Sequence, residues 1–289
     1  MDGFENSNLN FNKTIVEDYK EWLKDHPFDN GGGGWACEPW FQKDMEITAD
    51  YAKKQAESTN KAVYIIGRTA GEDKDNANWV GSYLLTDEEK ENLKNITEAF
   101  EDVCVVLNVS NIIDLKWIDE EQFKGHIKSV IIEWQGGMEG GNAVAEALSG
   151  KATPSGKLPD TVAYDIEDYP ANDNFGNELT NLYKEDIYVG YRYFETFAPE
   201  KVQFEFGFGL SYTTFDIETV SADADDEKIT LEVKVTNTGD KFSGKEVVQV
   251  YYEAPQGALG QPARQLCAYE KTENLAPGQS QTLKIAFDI

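Results

Sequence analysis

Three short runs, AVYIIG (62–67), VCVVLNV (103–109) and SVIIEW (129–134), are rich in β-branched residues and almost wholly apolar. A strand with one wet face alternates polar and apolar side chains; unbroken apolar runs suit strands covered on both faces. Between the first two, TDEEKENLKNITEAFE (86–101) spaces Leu93, Ile96 and Phe100 near the helical period. Thr86 and Glu89 form a capping-box pattern at its start. After the third run, GGMEGGNAVAEALSG offers glycines, a small-residue helix and Gly150 as a stop. Strand, helix, strand at this spacing predicts a covered, mostly parallel sheet, an α/β sandwich over residues 1–165. The glycines of QGGMEGGNAV lack the spacing and the following acid of a dinucleotide cradle, and read as tight strand-to-helix packing.

From Phe215 the texture changes. ITLEVKVTNTGD, GKEVVQVYYEAP and QTLKIAFDI alternate with period two, separated by turn residues and without a helix signal. Residues 215–289 therefore read as an all-β sandwich of the fibronectin-III or immunoglobulin kind, short for such a domain. Residues 166–214, rich in Tyr, Phe, Gly and Pro, carry too many aromatics to stay wet and are expected to act as interdomain mortar joining the two domains rather than as a flexible linker. Tyr188, Tyr191, Tyr193 and Phe194 read as part of that interface packing rather than as substrate contacts.

The chain has 53 acidic and 26 basic residues, for a net charge of −27. With no Lys/Arg cluster, this argues against a nucleic-acid partner. No apolar run approaches the roughly 20 residues that span a bilayer, so no membrane partner is expected. The opening MDGFENSNLNFNKTIVEDYK shows no basic segment followed by an apolar core, which reads as cytoplasmic. Cys37, Cys104 and Cys267 are odd in number and lack CxxC spacing, which fits a reducing compartment or no constraint at all rather than a disulfide framework, and Cys104 is expected buried among its strand neighbours. His26 and His126 do not make a multi-histidine metal centre, and no cofactor is implied.

One carboxylate stands out by position. Glu72, in IIGRTAGEDKDN (65–76), follows an apolar strand and so belongs at the carboxyl edge of the sheet, where α/β folds place ligands. Gly71 would let backbone approach a ligand closely. A glutamate there can donate a proton if its surroundings favour the neutral form, or it can be one solvated acid among many. Arg68 could hold Asp73 or Asp75. NGGGGWACEPWF (30–41) either presents Trp35 as a platform for a sugar ring or uses Trp35, Trp40 and Phe41 to anchor its own loop, and the same alternatives apply to Trp79.

Several longer motifs then line up in order. EWQGGMEGGNAVAEALSGKATPSGKLPDT (133–161), DIYVGYRYFE (186–195), FEFGFGLSYTTF (204–215), VTNTGDKFSGKEVVQVY and LAPGQSQTL closely resemble family 3 glycoside hydrolases of the β-glucosidase type. The resemblance implies an α/β sandwich domain followed by a fibronectin-III-like domain. It aligns Glu72 with the family's general acid/base and Asp75 with the Asp of its SGEGxDR-like loop. Asn76 stands where that loop usually has Arg, and Asp73 where it often has Gly.

The family's nucleophile is an Asp in a (β/α)8 barrel, which needs roughly 250 residues of its own. The resemblance therefore implies a partner barrel domain in the same or another chain, in the permuted order that puts the barrel after the fibronectin-like domain. It also implies a family strand preceding MDGFENSN. The expected function is the acid/base half of a retaining, exo-acting β-glycosidase on β-glucosides or oligosaccharides, inactive alone, with Trp35, Trp79, Arg68 and Asp75 as substrate contacts. A non-catalytic carbohydrate-binding or scaffolding protein built from the same domains is the alternative, and an adhesion unit using the β-sandwich a third.

Overall fold

A computed structural model describes residues 2–69 and 72–288. The chain divides into two compact units, 1–149 and 150–289. The first is built on three parallel strands in the order β1-β2-β3: β1 (Lys61–Gly67), β2 (Asp102–Asn108) and β3 (Ile127–Ile132). Among the described residues five α-helices accompany them: α1 (Asp2–Asn6), α2 (Lys13–Asp25), α3 (Ala49–Ala56), α4 (Asp87–Ala99) and α5 (Gly140–Leu148).

Register explains which side chains share a face. Tyr64 pairs with Val105 and Ile66 with Leu107, and all four are buried. The alternate set is less covered: Val63 and Ile65 are 39% and 47% exposed, and Cys104, paired with Val63, is only partly buried. That corrects the sequence expectation for this thiol, whose neighbour across the ladder lies on the wetter face of β1.

Helix α4 lies against β1 and β2. It begins at Thr86, whose hydroxyl accepts from Glu89 N at 3.0 Å while the Glu89 carboxylate accepts from Thr86 N at 2.8 Å. Such a cap stabilises a helix by about 1 kcal/mol. Leu93 and Ile96 are buried, each contributing about 2 kcal/mol by leaving water. Tight approach explains the glycines near α5: a Cβ on Gly136 or Gly140 would collide with the Glu133 carboxylate, and one on Gly3 would collide with the backbone of Gly141. Burial pushes the Glu133 carboxyl above its ordinary range.

The second unit pairs β4 (Val162–Ala163) with β5 (Val202–Phe204) and adds helix α6 (Tyr191–Phe197). Its larger part is antiparallel: a sheet of β10 (Ser280–Asp288), β7 (Lys228–Asn237) and β6 (Phe215–Ala224), and a ribbon of β8 (Val247–Tyr252) and β9 (Gln265–Lys271). Val233, Val235, Val248, Leu275, Leu283 and Ile285 form their common core. Only part of the aromatic segment packs inside this unit: Phe175 and Tyr183 are 64% and 88% exposed, against the expectation that these aromatics stay dry, while the packed part gathers around Phe194. Phe194 is fully buried, Tyr191 stacks on Phe206 at 4.7 Å, and the Tyr191 hydroxyl accepts from Leu266 N at 2.7 Å. Among the described residues no helix is long and apolar enough to cross a membrane.

Candidate active site

Glu72 occupies a turn beyond β1, at the carboxyl ends of the parallel strands, and is exposed. Gly71 lies outside the described residues. Among the described residues the Glu72 carboxylate has no ion-pair or hydrogen-bond partner. A carboxylate so placed is open to a substrate.

Arg68 does not serve Asp73 or Asp75, which corrects the sequence expectation. Its guanidinium makes a bidentate pair with Glu89, Nη1 to Oε1 at 2.6 Å and Nη2 to Oε2 at 2.9 Å. It also donates to the carbonyls of Gly67 (2.8 Å), Ser82 (3.1 Å) and Leu84 (3.3 Å). Those five bonds use every guanidinium N–H, so in this arrangement none is left for a sugar hydroxyl. The two side chains are 4% and 8% exposed. The cause is reach: the rim turns back at Gly81, and a loop running from 82 to the start of α4 presents both carbonyls and the capping glutamate to the base of the turn.

The remaining sequence-selected residues fall on the same rim. Asp75 is exposed. Trp79 is 53% exposed and meets Trp40 edge-on at 6.4 Å. Trp35 is 74% exposed, and its indole Nε1 donates to Asp73 Oδ2 at 3.0 Å. The glycine-rich loop thus divides its aromatics: Trp40 and Phe41 are half-buried, while Trp35 faces outward.

Both departures from the family loop have a local explanation. Asp73 has φ 64°, a left-handed backbone that glycine adopts freely and Asp tolerates better than most residues. Asn76 donates from Nδ2 to Ile112 O at 2.6 Å, tying the turn to the segment after β2 without adding a charge.

Three residues that the sequence reading passed over complete the rim. Lys74, though in the run EDKD, is 9% exposed; its ammonium donates to Glu38 O and lies 5.2 Å from the Trp40 ring centroid. Thr69 N donates to Trp40 O at 2.8 Å. Asp44 accepts from Tyr19 (2.7 Å), Tyr64 (2.6 Å) and Met45 N (2.8 Å). A concavity of about 410 Å³ opens beside these groups, lined by Tyr19, Asp44, Gly67, Arg68, Thr69 and Asn108 among others.

Residues 2–212 match the glycosyl hydrolase family 3 C-terminal domain, and residues 246–289 match the fibronectin type III-like domain. A β-glucosidase of Ruminococcus albus is 48% identical over 98% of this chain, which spans 29% of that protein. The crystal structure of a β-glucosidase from Paenibacillus barengoltzii superposes on 99% of the chain with TM-score 0.97 at 53% identity, and the match covers 31% of that structure. A Thermotoga neapolitana β-glucosidase solved with glucose gives TM-score 0.87 at 31% identity over 99% of the chain and 40% of its own. The chain therefore spans well under half the length of these relatives, and it belongs to glycosyl hydrolase family 3, of which it carries the C-terminal and fibronectin type III-like domains.

Proposed function

We propose that this chain supplies the general acid/base of a retaining, exo-acting β-glucosidase-type hydrolase, with Glu72 as the proton-transferring group. The nucleophilic Asp belongs to a (β/α)8 barrel domain outside these residues. The observation that carries this reading is the Glu72 carboxylate itself: exposed, unpaired among the described residues, and held on a turn at the carboxyl rim of a parallel sheet. The β-glucosidases to which the chain is similar support the substrate class, a terminal β-linked sugar.

The two carboxyl groups of a retaining enzyme stand about 5–5.5 Å apart across the glycosidic bond. The barrel Asp attacks the anomeric carbon as the bond to the leaving oxygen breaks, and Glu72 gives its proton to that oxygen. The Glu72 carboxylate then takes a proton from water, whose oxygen attacks the anomeric carbon and frees the Asp. Trp35 and Trp79 are the aromatic faces of this rim offered to a sugar ring, and Asp75 adds an acceptor.

The test is made in a barrel-bearing protein that contains this chain. Glu72→Ala is expected to lower activity severely on aryl β-glucosides with poor leaving groups, and azide to restore part of it. Unchanged rates reject the assignment. The 1–289 chain alone is expected to hydrolyse no aryl β-glucoside, and turnover that vanished in Glu72→Gln would overturn the need for the barrel domain.

A further inference from the structure

A loop that carries a proton donor must be aimed, and the Glu72 turn is gripped from one side by the glycine-rich segment. Three tethers join them around the acid: Thr69 N to Trp40 O (2.8 Å), Trp35 Nε1 to Asp73 Oδ2 (3.0 Å), and the Lys74 ammonium to Glu38 O. The third is unlike the others. Lys74 is an almost fully buried cation in a chain of net charge −27, flanked in sequence by Asp73 and Asp75. Left in water, its head would cost nothing to solvate. Buried, it must be compensated, and the compensation is a backbone carbonyl plus the face of Trp40 at 5.2 Å. That arrangement fixes the backbone two residues beyond Glu72. Trp40 is in turn held edge-on by Trp79, and a Cβ at Gly81 would collide with the Phe41 ring, so the loop that receives Lys74 is itself packed in place.

We propose that Lys74 is a positioning residue for proton transfer: its buried ammonium locks the Glu72 turn onto residues 38–40 and sets where the acid points. The proposal rests on Glu72 being the acid/base. Lys74 itself touches no reacting atom.

The experiment compares kcat/KM for a series of aryl β-glucosides in the barrel-bearing protein that carries this chain. The series runs from dinitrophenyl, which departs without protonation, to phenyl, which needs it. Misplacing a catalytic group by about 1 Å can cost about a hundredfold. Lys74→Met is expected to lower kcat/KM for the phenyl glucoside about ten- to a hundredfold, while the dinitrophenyl glucoside changes by less than about threefold. Lys74→Arg, which keeps a cation over Trp40, is expected to recover most of the phenyl activity. An equal loss on both substrates, or no loss on either, overturns the proposal, since a merely structural lysine does not discriminate between leaving groups. If Lys74→Met does not fold, Lys74→Gln retains a donor for Glu38 O and is read in the same way, with an intermediate discrimination expected. Glu72→Gln is run in parallel. If it shows no leaving-group dependence, the acid/base assignment falls and this proposal with it; if it does and the Lys74 variants do not, only the proposal falls.

Discussion

Arg68 and Glu89 meet in a two-pronged ion pair, at 2.6 and 2.9 Å, and the same Glu89 carboxylate accepts from Thr86 N at 2.8 Å. One acid therefore ties the end of β1 to the start of α4, and with five acceptors the guanidinium is fully used at the foot of the Glu72 turn.

Breaking this pair from one side leaves a buried charge uncompensated, which costs about 3–5 kcal/mol. Glu89→Leu is expected to destabilise the first unit by that amount, and Arg68→Met added to it to return a large part. All six tryptophans lie between Trp22 and Trp134, so tryptophan fluorescence in urea reads this unit. A loss below about 1 kcal/mol in the single variant would mean that the pair is exposed in solution.

Tyr64 provides a pH test. Burial, followed by the Asp44 carboxylate it donates to at 2.6 Å, raises its hydroxyl far above the ordinary tyrosine range. A raised folded-state value means that the fold holds the proton more tightly than the unfolded chain. The stabilisation is thus complete below about pH 10, the ordinary value, and is lost as pH climbs beyond it. Urea midpoints taken between neutral and strongly alkaline pH should fall steeply above that point, and Tyr64→Phe should flatten the fall. At neutral pH the same variant loses a bond to a charged acceptor, about 1.5–3 kcal/mol. An unaltered alkaline slope would assign the titration to other groups.

In the second unit Asn237 is fully buried and satisfied on every side. Oδ1 accepts from Thr213 (2.6 Å) and Gly239 N (3.0 Å), and Nδ2 donates to the carbonyls of Phe242 (3.0 Å) and Leu275 (2.8 Å). Asn237→Leu strands those partners, at a cost of about 3 kcal/mol. Amide exchange across β6, β7 and β10, followed by mass spectrometry, should accelerate about a hundredfold. An unchanged rate would show that water replaces the amide.

The strands, the capping box and the sandwich were legible because each is written in neighbours: period, cap residue and turn chemistry all lie within a few positions. Glu72 could be placed on the sheet rim for the same reason. What the sequence did not reveal is set by contacts across distance. Arg68 reaches Glu89, 21 positions on, and Lys74 reaches Glu38, 36 positions back. Charge counting also misleads at Lys74: in an acidic run it reads as a solvated side chain, yet it is buried, because an aromatic face and a carbonyl supply what the adjacent acids do not. Cys104 erred in the opposite sense, since an apolar run does not reveal which face of its neighbour is left wet.

Asp73 keeps a left-handed backbone, φ 64°, beside Glu72 while its carboxylate receives the Trp35 indole. A glycine in that place would let the turn swing without torsional resistance. With aspartate the swing is latched: each departure must first release the indole, whereas return restores it. The turn beside the acid is therefore pinned by a side-chain bond that a glycine at 73 could not make.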